Sequence, residues 1–113
     1  MTVTTMEGAY GDYGANEADV AMAAADVGNG NYWVLKEGDV LLAHNTNVGA
    51  QTITIASVAD KYGRSGNIAA YSIGADEYAV FGPFQFHGWR QTTGWIHVDA
   101  ASADVLLGVL RAP

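Results

Sequence analysis

The chain has 113 residues, of which 50% are hydrophobic and 15% charged. This composition is typical of one globular domain and excludes a disordered chain. Its 12 acidic and 5 basic residues give a formal net charge of −7. The basic residues are scattered singly, so we expect neither nucleic acid nor an anionic membrane as a partner. No apolar run approaches the roughly 20 residues that span a bilayer. The absence of cysteine excludes disulfides and thiolate metal sites.

The first 22 residues predict a flexible N-terminal arm, and residues 23–113 predict a single β-sandwich domain. Met1 to Asn16 is rich in Gly, Thr and Tyr and has no stable hydrophobic period. Glu17 to Ala25 favours either one or two helical turns or an extended edge strand. Within the arm, Tyr10 and Tyr13 are candidate interface anchors, because tyrosine loses little rotamer entropy for the area that it buries.

From residue 29 onward, short strand-like runs alternate with turn signals such as Asn29-Gly30-Asn31. Gly82-Pro83 is predicted to end the strand before it, since proline cannot donate to a ladder. Thr92-Thr93-Gly94 is predicted to be a hairpin turn. The spacing predicts an all-β, antiparallel sandwich. The turn at Asn29–Asn31 leads into Tyr32–Leu35, and the predicted strands after Gly38 are Val40–His44, Gln51–Ala56, Ile68–Ile73, Glu77–Phe81, Trp95–Asp99 and Val105–Leu110.

The densest aromatic stretch of the chain is FGPFQFHGW, residues 81–89. One interpretation is a structural corner, in which Phe81 and Phe84 bury on either side of Pro83 while Trp89 pairs with Trp95 across a hairpin. Cross-strand aromatic pairs stabilise sheets and fix their register, so this interpretation is the favoured one.

The alternative is a platform on which sugar rings or another small ligand stack. Its rings would be Tyr78, Phe84, Phe86, Trp89 and Trp95. This alternative makes the protein a ligand-binding β-sandwich module.

Three histidines, His44, His87 and His97, raise the question of a metal site. Gly38 followed by His44 begins the pattern of a cupin-type metalloenzyme, but Thr46 stands where the next histidine ligand would be. No serine lies in a Gly-x-Ser-x-Gly context, and carboxylates in solvated turns do not have the raised pKa of a general acid. We therefore predict no metal, no cofactor and no catalytic residue, and a protein that is not an enzyme.

The order of motifs resembles a family of small structural proteins of tailed bacteriophages, encoded among the head genes. The resemblance covers residues 23–113. It rests on turns and strand ends: the small-residue stretch that leads to an aromatic at Ala23–Trp33, Val40–Asn45, Gln51–Ile55, Asp60–Arg64, Gly74–Phe84 and Val109–Arg111.

The resemblance implies a jelly-roll-like β-sandwich that decorates and cements a phage head. Its expected partners are the major capsid protein or other virion proteins, and further copies of itself, with a trimer favoured. Its expected location is the exterior of the virion head, after synthesis in the host cytoplasm. No catalytic residues are known for such a family, so the resemblance transfers none.

Overall fold

A computed structural model describes residues 5–7, 22–59, 62–63 and 66–111. Within these ranges the chain is almost entirely β, which confirms the predicted fold class. A four-residue segment, α1 (Phe86–Trp89), is one irregular turn, since His87 and Gly88 have non-helical backbone angles. The strands are β1 (Thr5–Glu7), β2 (Ala23–Ala24), β3 (Asn31–Val34), β4 (Asp39–Asn45), β5 (Gln51–Ile55), β6 (Ile68–Ile73), β7 (Tyr78–Phe84), β8 (Trp95–Ala100) and β9 (Val105–Arg111).

The strands form two sheets. Sheet I has the order β1-β9-β4-β7, with β2 also paired to β9, and sheet II has the order β3-β8-β5-β6. All neighbours are antiparallel except β1 and β9, which are parallel. The pairs β5–β6, β4–β7, β3–β8 and β2–β9 are nested, as though one long hairpin had been folded over into two layers.

The core lies between the two sheets because alternate residues of each strand point inward. Along β4 every second residue is buried, and the residues between are half-buried. The hydrophobic core consists of Ala25, Trp33, Leu35, Leu41, Ala43, Ile53, Ile55, Ile73, Phe81, Phe84, Ile96, Val98, Ala100, Val105, Leu107 and Val109. No helix in the described ranges is long and apolar enough to cross a membrane.

Asn45 is buried at the end of β4 and ties together the loops at that end of the sandwich. Its side-chain nitrogen donates to the carbonyl oxygens of Gly49, Ile73 and Gly74 at 2.9–3.1 Å. Its side-chain oxygen accepts from the backbone nitrogen of Asn47 at 3.0 Å. Burial therefore leaves neither end of the amide without a partner, as a buried polar group requires.

The prediction that Gly82-Pro83 ends a strand is wrong, because β7 continues through both residues to Phe84. Leu41 is paired with Phe81 and Asp39 with Phe84, so Gly82 and Pro83 together face the single residue between. Gly82 and Pro83 therefore form a β-bulge, and β7 lies at the edge of its sheet. Bulges and edge strands are the two places where a sheet tolerates proline. Gly82 has φ of +110°, which favours glycine.

Part of the predicted N-terminal arm belongs to sheet I. Within the predicted arm, Thr5–Glu7 pairs with the end of β9. Ala23–Ala24, at the start of the predicted sandwich domain, pairs with Leu107 and Leu106 of the same strand. For Glu17 to Ala25 the sequence predicts either helical turns or an extended edge strand. Within the described residues, Ala23–Ala24 forms the edge strand. Tyr10 and Tyr13, the candidate interface anchors, lie outside the described residues.

Candidate interaction surfaces

The aromatic stretch at residues 81–89 packs into one end of the core. Phe81 and Phe84 are buried on either side of Pro83. The ring of Phe84 lies 6.2 Å from that of Trp33 and 5.1 Å from that of Trp89, measured between centroids. We call Trp33, Phe84 and Trp89 the corner cluster. Its position between the sheets gives these rings a structural role.

A buried carboxylate fixes the orientation of the corner cluster. Asp39 is fully buried, and its Oδ2 accepts hydrogen bonds from Trp33 Nε1 at 3.0 Å and from the backbone nitrogen of Lys36 at 2.9 Å. The second bond closes the turn between β3 and β4, because Asp39 begins β4 just after that turn. One side chain therefore sets both the turn and the indole.

The predicted pair between Trp89 and Trp95 is not formed. Trp95 stacks on Tyr32 with 4.3 Å between centroids and an interplanar angle of 25°. Trp95 lies on the outer side of β8, which pairs with β3, whereas Trp89 packs on Phe84 at the core. The predicted sugar platform is divided for the same reason. Phe84 is buried, and Tyr78 lies on sheet I, far from β8 in the strand order.

Among the residues whose side chains the structure describes, the outer face of sheet I is apolar. Strand register brings its outward residues into cross-strand rows, with His44 between Tyr78 and Leu106 and with Leu42 beside Val80. We call this surface the β4–β9 face. It consists of Ala24, Val40, Leu42, His44, Tyr78, Val80, Leu106, Gly108 and Leu110.

The β4–β9 face departs from the usual pattern of an antiparallel sheet, in which one side is apolar and the solvated side is polar. None of its residues has a carboxylate, ammonium or guanidinium group. At its edge Tyr78 and Val80 are each 65% exposed. A contiguous apolar patch of this kind usually marks an interaction site. The sequence carries a signal for it, since β4 and β9 are near-continuous apolar runs, typical of strands covered on both sides.

The loops at one end of the β4–β9 face are acidic. Asp76 and Glu77 lie between β6 and β7, and Asp104 lies between β8 and β9. They meet at the end of β4, where Asn45 donates its backbone N–H to Glu77 and His44 Nε2 lies 2.9 Å from Asp76 Oδ1. The loops over residues 46–50, 74–77 and 101–104 contain no lysine or arginine. We call this the acidic end.

The three histidines are dispersed. His44 lies on the β4–β9 face, stacked on Tyr78 with 3.9 Å between centroids. His97 lies on β8 in the other sheet, and His87 is exposed in α1. In the described part of the chain, no three His, Cys, Asp or Glu residues come together in a group that could hold a metal ion. Thr46, at the cupin-like position, instead donates its hydroxyl to the Asp104 carbonyl at 2.6 Å.

A second aromatic cluster lies on the outer face of sheet II. It consists of Tyr32, Trp95 and His97, and we call it the outer cluster. His97 is 6.1 Å from Trp95 and 6.3 Å from Tyr32 between ring centroids. Tyr32 is not among the predicted site residues, although its alternation with Trp33 along β3 indicates that one of the two rings points outward.

No protein-family model, curated protein or solved structure matches the chain.

Proposed function

We propose that the protein is a non-enzymatic structural subunit that docks on a protein shell through its β4–β9 face. The observation that supports this proposal is an outward sheet face without a charged side chain, on a chain whose net charge is −7. Such a face loses solvent-exposed apolar area when a partner covers it, and this burial is the main favourable term in association.

Charge distribution indicates the chemistry of the partner. The acidic end borders the β4–β9 face, so a complementary surface has an apolar centre with lysine or arginine at one margin. Opposite charges at the rim increase the association rate and fix the orientation. A second copy docked with its own acidic end against this one would be repelled, so we propose a different protein as the occupant of this face.

The shell that we propose is the head of a tailed bacteriophage, with the protein as a decoration or cement subunit on its exterior. Two arguments support this choice: the resemblance of the motifs to a phage structural family, and the nested strand pairing, which suits a jelly-roll-like subunit such as those common among viral capsid domains. The proposed partner is the major capsid protein. We also propose that the subunit forms trimers through surfaces other than the β4–β9 face.

Two valines of the chain provide a matched test. Val80 is 65% exposed on the edge strand of sheet I, and Val34 is 63% exposed on the edge strand of sheet II. We expect Val80→Asp to abolish co-sedimentation with expanded heads of candidate tailed phages, because it places a charge within the contact. Val34→Asp should pellet with the heads in the same stoichiometry as the wild type and raise their melting temperature equally.

Light scattering on the same samples gives the oligomeric state of each variant. If the wild-type protein ignores every head tested, the lattice proposal is wrong. If Val80→Asp binds the heads as well as Val34→Asp does, the protein binds a phage shell through a surface other than the β4–β9 face.

A further inference from the structure

The outer cluster has a geometry that the sandwich core does not need. Tyr32 is paired in register with His97, and Val34 with Trp95, across the β3–β8 ladder. The three rings are half-buried on the outside of sheet II, while the residues that alternate with them, such as Trp33 and Ile96, fill the core. The rings therefore contribute nothing to the packing of one sheet on the other.

The polar atoms of the outer cluster are available to a ligand. Within the described residues, neither the Tyr32 hydroxyl, nor Trp95 Nε1, nor a ring nitrogen of His97 forms a hydrogen bond. No buried side-chain nitrogen or oxygen in that part of the chain lacks a partner, so these atoms are in contact with solvent. The indole of Trp33, one residue from Tyr32, differs in that its Nε1 is bonded to Asp39.

Small residues border the cluster on the neighbouring strands. Ala56 donates its backbone N–H to the carbonyl of His97 at 3.3 Å, so the residue bonded to His97 from the side of β5 has only a methyl side chain. Two residues after His97 in β8, the exposed Asp99 lies between Thr54 on one side and Gly30 on the other. A Cβ at Gly30 would lie 3.0 Å from Asp99 Oδ1, so a glycine there leaves room for the carboxylate. The aromatic rings therefore lie next to a surface of small and polar side chains.

From this arrangement we infer that the outer cluster binds the ring of a neutral saccharide. The apolar face of a pyranose packs on an aromatic ring, and its hydroxyls can accept from Tyr32 and Trp95, exchange a hydrogen bond with His97 and donate to Asp99. An anionic sugar is disfavoured by Asp99 and by the net charge of the chain. This ligand site is separate from the β4–β9 face and does not depend on the proposed role in a phage shell.

The indole N–H signals in NMR spectra provide the test. Methyl glycosides of glucose, galactose, mannose and N-acetylglucosamine are titrated into the full-length protein. We expect the signal of Trp95 to shift saturably with at least one of them. The signal of Trp33 should stay in place, because that indole is buried and bonded to Asp39.

Two variants keep the Trp95 signal and remove its neighbours. Tyr32→Ala should raise the titration midpoint at least about tenfold, since the stacked ring is lost. His97→Ala should raise it about three- to tenfold, the value of one hydrogen bond. The control is Tyr78→Ala, which removes a tyrosine ring that stacks on His44 and lies on sheet I. Its midpoint should not change.

The inference is overturned if none of the four glycosides shifts the Trp95 signal. It is also overturned if the shift survives unchanged in both Tyr32→Ala and His97→Ala. Val80→Asp should bind the sugar normally, so loss of shell binding and loss of sugar binding are distinguishable.

Discussion

The corner cluster and the outer cluster are both built from aromatic side chains, and they lie on the two sides of β3. Along β3, Trp33 points inward to Phe84, and Tyr32 points outward to Trp95. Inside, the indole nitrogen is satisfied by a buried carboxylate; outside, the polar atoms of the rings contact solvent. Strand alternation, more than aromatic content, therefore separates the rings that hold the fold together from the rings that contact solvent.

The largest expected difference between the two clusters is in stability. Trp33→Ala should reduce the free energy of unfolding by about 3–5 kcal/mol, because it removes a fully buried ring and leaves a cavity. Trp95→Ala should reduce it by only about 0.2–1 kcal/mol, the value of a cross-strand pair. Urea denaturation of the two variants measures both changes. Equal losses would contradict the division into a structural and an available cluster.

A smaller effect is expected from Asp39, the buried carboxylate that is hydrogen-bonded to the corner cluster through Trp33. Asp39→Ala leaves the Trp33 Nε1–H and the Lys36 backbone N–H without their acceptor, which should cost about 1–3 kcal/mol of unfolding free energy. Asp39→Asn keeps an oxygen at the same position and should cost less than Asp39→Ala. Denaturation of both variants provides the measurement. Equal losses in the two variants would show that a neutral acceptor oxygen does not replace the carboxylate at this position.

The smallest expected effect is a dependence on acid at the turn that leads into β3. The backbone N–H of Asn29, followed by its side chain, holds the pKa of Asp26 below the ordinary value of 3.8. The ionised group therefore stabilises the fold above that value, and this contribution is lost as the pH falls through the lower pKa of the folded state. Between about pH 5 and pH 2, Asp26→Asn should lose less melting temperature than the wild type. Identical losses would show that this turn does not contribute.

Much of the fold could be predicted from the sequence because its strands alternate or lie between clear turn signals. Gln51–Ile55 and Ile68–Ile73 begin and end close to their predicted residues. The sequence could not predict that β7 continues through Gly82-Pro83. This continuation depends on β7 being an edge strand, which only the sheet order decides. The partner of Trp95 was missed for a similar reason, because the pairing of β8 with β3 connects residues far apart in the chain.

The β4–β9 face shows the same limit. The apolar runs in β4 and β9 indicate strands, but the sequence does not say that the two strands are neighbours. Only their pairing brings Leu42, His44 and Leu106 onto one surface. Residue patterns therefore predict elements well, while surfaces formed by several strands require the topology.

The nested strand pairing has a consequence for how the chain folds. The innermost of the four nested strand pairs, β5–β6, closes at Ile55 and Ile68, while the outermost, β2–β9, joins Ala23 to Leu107. Loop-closure entropy rises with the length of chain that a contact encloses, so we expect the β5–β6 hairpin to form first and the pairs outside it to follow in order. Folds dominated by such distant contacts reach the native state in about milliseconds to seconds. Until β9 pairs with β4, one backbone edge of β4 is without hydrogen-bond partners and the β4–β9 face is incomplete.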